Sequence, residues 1–142
     1  MNTQTIIVNL FEKKIQDPII YVGDLSDKRN FTHVSDIVKA YWLAINKCKP
    51  GELNLIGNEN KDNIFTFKQA LDKLIKLSRI KNIKIKLYKP FIRPTNVPRL
   101  IIGSRKFQNK TKWKPIIDFD TILLDTLEYW RNEIKKGSIN LY

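Results

Sequence analysis

The sequence predicts an α/β fold of mixed α+β type. Three observations lead there. Apolar residues recur at the 3, 4, 7 spacing of amphipathic helices in several stretches. Short apolar or alternating runs, at Ile19–Val22, Leu53–Ile56 and 83–87, fall between those stretches and read as strands. The composition, 42% hydrophobic and 28% charged over 142 residues, suits one globular domain, residues 1–142, with a core of its own.

The elements follow in chain order. Residues 3–14 read as a helix, with Ile6, Ile7, Leu10 and Phe11 on one side and Glu12, Lys13 and Lys14 at its end. Asp17-Pro18 breaks it. Ile19–Val22 is a short buried strand ended by Gly23-Asp24. Residues 34–46 form the next helix, with Val34, Ile37, Val38, Tyr41 and Ile45 on one face. Trp42 and Leu43 widen that face, which predicts burial on more than one side. Pro50-Gly51 turns the chain into the Leu53–Ile56 strand, stopped by Gly57-Asn58.

Thr66 and Gln69 make a capping box for a third helix. Its inner face is Phe67, Ala70, Leu71, Leu74, Ile75 and Ser78; its outer face is Lys68, Asp72, Lys73 and Lys76. The strictly alternating run 83–87 reads as a half-exposed strand. Pro90, Pro94 and Pro98 punctuate an irregular segment around Arg93. Ser104 is expected to cap a short helix to about Lys110. Asp120 or Thr121 is expected to cap a final helix to about Lys136, with Phe119, Ile122, Leu123, Leu127, Trp130 and Ile134 inward.

The formal net charge of +12 invites a nucleic-acid partner, but its source argues otherwise. There are 20 Lys and only 6 Arg, and Lys, Ile and Asn together supply 54 residues against 3 Ala. Those are residues of A/T-rich codons, and the lysines spread over the whole chain as solvated faces rather than one phosphate-reading patch. No apolar run is long enough to span a membrane, and no cationic stretch precedes a long apolar one as in a secretory signal. Cys48, the single cysteine, permits no internal disulfide and fits a reducing, cytoplasmic setting.

The catalytic inventory is thin. One His and one Cys make neither a His-rich metal site nor a zinc cluster. No P-loop and no Gly-x-Gly-x-x-Gly occur among the five glycines. His33 reads as a general base or as a structural group at the start of the second helix, and no carboxylate partner is evident for it. Cys48 has no activating neighbour and reads as inert. Arg29, beside Phe31, and Arg93, among prolines, are suited to a bidentate grip on phosphate, or alternatively to surface ion pairs.

Five segments, in order, then resemble one family. Residues 29–40 (RNFTHVSDIVKA) resemble the "RDFTHVxDxVxA" segment of extended short-chain dehydrogenases acting on nucleotide sugars. Residues 50–57 (PGELNLIG) resemble their "PGExYNIG", and 93–98 (RPTNVP) their "RPxEVP". Residues 111–115 (TKWKP) resemble "TGWKP", and 125–131 the "DxLxYWR" of the last helix. The branch of GDP-mannose 4,6-dehydratases and GDP-4-keto-6-deoxymannose reductases is the most similar.

The resemblance implies the C-terminal, substrate-binding half of a Rossmann-type enzyme that uses NAD(P). It implies that Arg29 and Arg93 neutralise the diphosphate of a GDP-sugar, which carries about two negative charges. It places Asn96 where an acidic residue usually faces the ribose, and Gly23, Asp24 and Leu25 in the loop near the nucleobase. Asn30 replaces the usual Asp after the Arg, an expected loss of a loop-orienting carboxylate. Ser104 replaces the Asp of a Gly-Asp cap.

The family's Gly-rich dinucleotide turn and its Tyr-x-x-x-Lys pair are missing from this sequence. Met1 stands roughly where the family's substrate half begins. The chain is therefore expected to be one part of a longer two-part enzyme and to bind no cofactor alone. It is expected to be inactive alone, and to meet a separate chain carrying the Rossmann half or to self-associate through an exposed apolar face. Two other readings are a stand-alone nucleotide-sugar-binding module or non-functional truncated product, and a basic nucleic-acid-binding domain.

Overall fold

The computed structural model describes residues 18–80, 82–93 and 97–137. The helix expected over 3–14 lies outside them. In chain order the elements are β1 (Ile19–Val22), β2 (Lys28–Asn30), α1 (Val34–Lys47), β3 (Ile64–Thr66), α2 (Phe67–Leu77), β4 (Lys84–Leu87), β5 (Arg99–Leu100), α3 (Arg105–Thr111) and α4 (Phe119–Lys135). One-turn 3-10 helices lie at Lys61–Asn63 and Lys89–Phe91.

Two small sheets result. β1 pairs in parallel with β4, Ile19 opposite Lys84 and Val22 opposite Leu87. β2 is the centre of the other sheet, antiparallel to β3 and parallel to β5. Parallel pairing of β1 and β4 needs a crossover, and α2 lies within it. Thr66 caps α2 as expected: its hydroxyl accepts from Gln69 N–H, and Gln69 Oε1 accepts from Thr66 N–H at 2.8 Å.

Burial falls into three apolar clusters rather than one. Ala70 and Leu74 of α2 meet Phe119, Leu123 and Leu127 of α4, with Phe31 and Phe65 packed alongside. Leu71, one position round the same helix, meets Ile20 and Val22 of β1. Ala40 of α1 meets Phe107 of α3 and Trp113. A buried carboxylate supports this third cluster. Asp36 Oδ2 accepts from the backbone N–H groups of Ile116 and Ile117 at 3.0 and 3.1 Å, and Trp113 Nε1–H donates to the Asp36 carbonyl at 2.9 Å. Those bonds satisfy one oxygen of an acid that is 1% exposed; the other, Oδ1, has no hydrogen-bond partner and lies 3.9 Å from Lys39 Nζ.

Several expectations need correction. The wide apolar face of α1 is not buried on more than one side. Ala40 is covered and Leu43 half-covered, but Val34, Val38, Tyr41, Trp42 and Ile45 face outward, Trp42 at 68% and Ile45 at 79% exposed. Leu53–Ile56 is not a strand, because no neighbouring chain among the described residues supplies a ladder; Leu53 O instead accepts from Lys106 Nζ at 2.8 Å. Ser104 precedes α3 but does not cap it: its hydroxyl donates to Gly57 O at 2.8 Å and accepts from Gln108 Nε2 at 2.7 Å. The cap of α4 is Asp118, whose Oδ1 accepts from Thr121 N–H at 2.8 Å, while Asp120 pairs with Lys73. All of β4 is exposed rather than half-exposed.

Candidate functional site

A cavity of about 660 Å³ opens between the end of β1, the loop after it, β2, the first residue of α2, residues 90–93 and Val97. Backbone bonds fix the loop. Phe67 N–H donates to Asp27 O at 3.2 Å and Lys68 N–H to Leu25 O at 3.0 Å, so the open N–H groups of α2 hold the loop in place. Gly23 permits the close approach: a Cβ there would stand 2.5 Å from the Phe91 carbonyl oxygen. Tyr88 N–H donates to Val22 O at 2.8 Å and sets the far wall.

Of the sequence-selected residues, Gly23, Asp24, Leu25, Arg29 and Arg93 all line this cavity. Asn96 lies outside the described residues. Arg29 Nη2 donates to Asp27 Oδ2 at 3.2 Å and Nη1 to Lys28 O at 2.8 Å, while the guanidinium carbon sits 5.6 Å from the centre of the Phe67 ring. Those contacts fix the plane of the fork and leave other N–H groups of the guanidinium for a ligand. Arg93 is exposed and, among the described residues, pairs with no carboxylate. Asp24 Oδ1 accepts from Ser26 N–H at 2.8 Å. That bond, with a second from the Ser26 hydroxyl, holds the Asp24 carboxyl below the usual carboxylate range.

Sequence reasoning missed Tyr21, Asp27, Phe67 and Phe91, which also line the cavity. The signal for Asp27 was present: two residues before Arg29 in extended chain puts both side chains on one side. Tyr21 alternates with buried Ile20 and Val22, so it had to point elsewhere.

His33 stands at the start of the second helix of the sequence reading. It is the N-cap of α1, its Nδ1 accepting from Ser35 N–H at 3.1 Å. A carboxylate partner not evident in the sequence is present: Asp125 Oδ2 of α4 lies 3.2 Å from Nε2, and sequence distance concealed it. Asn30 also corrects its expectation. Its amide donates to Asn58 O and Ile102 O, both at 3.0 Å, and its oxygen accepts from Ile102 N–H at 3.3 Å. A carboxylate could make neither donation. Cys48 borders a second, apolar cavity of about 430 Å³ with Ala44, Ile45, Pro50 and Leu53.

Gly57, like Gly23, makes room for neighbouring chain: a Cβ there would stand 2.6 Å from the Ile102 carbonyl oxygen. No group of three or more metal-ligating side chains occurs among the described residues. None of the described helices is long and apolar enough to cross a membrane.

A family model described as GDP-mannose 4,6 dehydratase matches residues 2–126. The dTDP-glucose 4,6-dehydratase of Salmonella typhimurium is 26% identical over 143 aligned positions, which cover 94% of this chain and 38% of that protein. The GDP-mannose 4,6 dehydratase of Dictyostelium discoideum is 22% identical, over 86% of this chain and 38% of that protein. Among solved structures, RMD from Pseudomonas aeruginosa, complexed with NADPH, superposes with a TM-score of 0.76 at 18% identity, covering 92% of this chain and 41% of that one. The chain thus spans about two fifths of the length of these relatives, and its fold is that of the corresponding part of Rossmann-type epimerases and dehydratases.

Proposed function

Because the chain belongs to the GDP-mannose 4,6 dehydratase family of NAD-dependent epimerases and dehydratases, we propose that it is the sugar-nucleotide-binding portion of such an enzyme and holds the diphosphate of a GDP-sugar. One observation carries the reading. Arg29 and Arg93, 64 positions apart in sequence, meet at one cavity of about 660 Å³. Arg29 is oriented by Asp27 and Phe67, so its fork is set before a ligand arrives. Arg93 has no competing carboxylate among the described residues, which leaves its charge available.

This portion supplies grip and orientation rather than proton or hydride movement, since Tyr-x-x-x-Lys is missing from its sequence. The outward face of α1, with Trp42 and Ile45, is where the nucleotide-binding part of the enzyme docks. Calorimetric titration of the full chain with GDP-mannose tests the central claim. Arg93→Ala is expected to weaken binding at least about tenfold, the loss of one charge-assisted bond. Unchanged affinity in that variant, or no binding by the unaltered chain, sinks the reading.

A further inference from the structure

The cavity wall carries a buried acid that a phosphate grip does not require. Among the described residues only Asp27 and Asp36 are buried acids, Asp27 at 7% exposed. Asp36 accepts from the backbone N–H groups of Ile116 and Ile117, away from the cavity. Asp27 lines the cavity, with its Oδ2 3.2 Å from Arg29 Nη2. A buried carboxylate is costly unless a partner compensates it, and Arg29 does so here. The loop does not depend on this pair alone, because the Asp27 carbonyl also accepts from Phe67 N–H at 3.2 Å.

The pair changes what the cavity offers an anion. The charged lining is Asp24, Asp27, Arg29 and Arg93, whose formal charges cancel. A ligand oxygen that meets the remaining N–H groups of Arg29 therefore also stands near the Asp27 carboxylate. Each further negative charge on the ligand adds repulsion from that acid, while Arg93 remains the one lining cation unpaired among the described residues. A sugar nucleotide carries about two negative charges, because its diphosphate is esterified at both ends. A free terminal phosphate raises this to about three in a nucleoside diphosphate and about four in a triphosphate.

Resting on the sugar-nucleotide reading above, we propose that Asp27 is a specificity-determining residue of the phosphate grip. It holds the Arg29 fork, and its charge disfavours nucleotides that end in a free phosphate relative to a diphosphate esterified at both ends. Selectivity of this kind comes from repelling the wrong ligand rather than from an added contact to the right one.

Calorimetric titration of the full chain with GDP-mannose, GDP and GTP, without divalent cations and at low ionic strength, tests it beside Asp27→Asn and Asp27→Glu. The Asn oxygen still accepts from Arg29, so the fork keeps its bond while the charge is gone; Glu keeps the charge. Asp27→Asn is expected to raise affinity for GTP relative to GDP-mannose about tenfold, with GDP between. That is about threefold for each added ligand charge, the effect of one charge about 7 Å away in a largely aqueous site. Asp27→Glu is expected to keep the parent's ratio. An unchanged ratio in Asp27→Asn would mean that Asp27 only positions Arg29 or the loop, and overturns the proposal, as does an equal shift in Asp27→Glu. Asp27→Ser, neutral as well, repeats the test if circular dichroism shows Asp27→Asn unfolded. The sugar-nucleotide reading fails differently. Absence of binding to all three nucleotides takes this proposal with it, whereas indifference to Arg93→Ala removes that reading and leaves a shifted ratio standing.

Discussion

The imidazole of His33 joins two helices that are far apart in sequence: Nδ1 caps α1, and Nε2 lies 3.2 Å from Asp125 Oδ2 in the middle of α4. His33→Ala is expected to cost about 1 kcal/mol, most of it the cap. Asp125→Asn is expected to cost only about 0.5 kcal/mol, because its carboxylate is more than half exposed. A double-mutant cycle by urea denaturation separates the two contributions. A coupling energy of zero would show that the two side chains do not interact.

Asn30→Asp is expected to destabilise this chain by about 2 kcal/mol. Two amide donations, to Asn58 O and Ile102 O, become contacts between a carboxylate and carbonyl oxygens. Chemical denaturation checks this. A variant as stable as the parent would mean that the local backbone reorganises to supply new donors.

Glu52 sits between Lys106 and Lys110, and bonds from these two ammonium groups lower its carboxyl from the ordinary 4.5 to about 2. A depressed folded-state value stabilises the protein above the unfolded-state value and stops doing so as the pH falls through about 2. Stability gained from this clamp between the 49–52 turn and α3 is therefore expected to fade between about pH 4.5 and pH 2. Acid titration of Glu52→Gln, followed by circular dichroism, is expected to lack that part of the transition. An unaltered acid profile would remove Glu52 as its cause.

Trp42→Glu and Ile45→Glu alter only the outward face of α1, so stability is expected to change by less than about 0.5 kcal/mol. Binding of a hydrophobic dye by the isolated chain is expected to fall. A large loss of stability in either variant would show that this face is covered within the chain itself.

Local signals were legible in the sequence and distant partners were not. Thr66 and Gln69 lie three residues apart and announce α2 without help from the rest of the fold. Ile19–Val22 was readable as a strand, but nothing in periodicity names Lys84–Leu87 as its partner. Leu53–Ile56 has the same apolar character and no partner among the described residues, so it stays irregular. Caps were misassigned where several polar residues competed, as at Asp118, Asp120 and Thr121, because only the turn geometry chooses among them. Arg29 and Arg93 emerged from motif resemblance, whereas the aromatic walls beside them depend on how β1 and the Lys89–Phe91 turn pack.

No residue of α1, α3 or α4 lines the 660 Å³ cavity, whose walls come from β1, the loop after it, β2, the start of α2, residues 90–93 and Val97. The outward face of α1 rests on the separate cluster of Ala40, Phe107 and Trp113. Mutations that retune one surface therefore leave the packing beneath the other untouched. Over evolutionary time, the lining of the cavity and the outward face of α1 are free to drift independently.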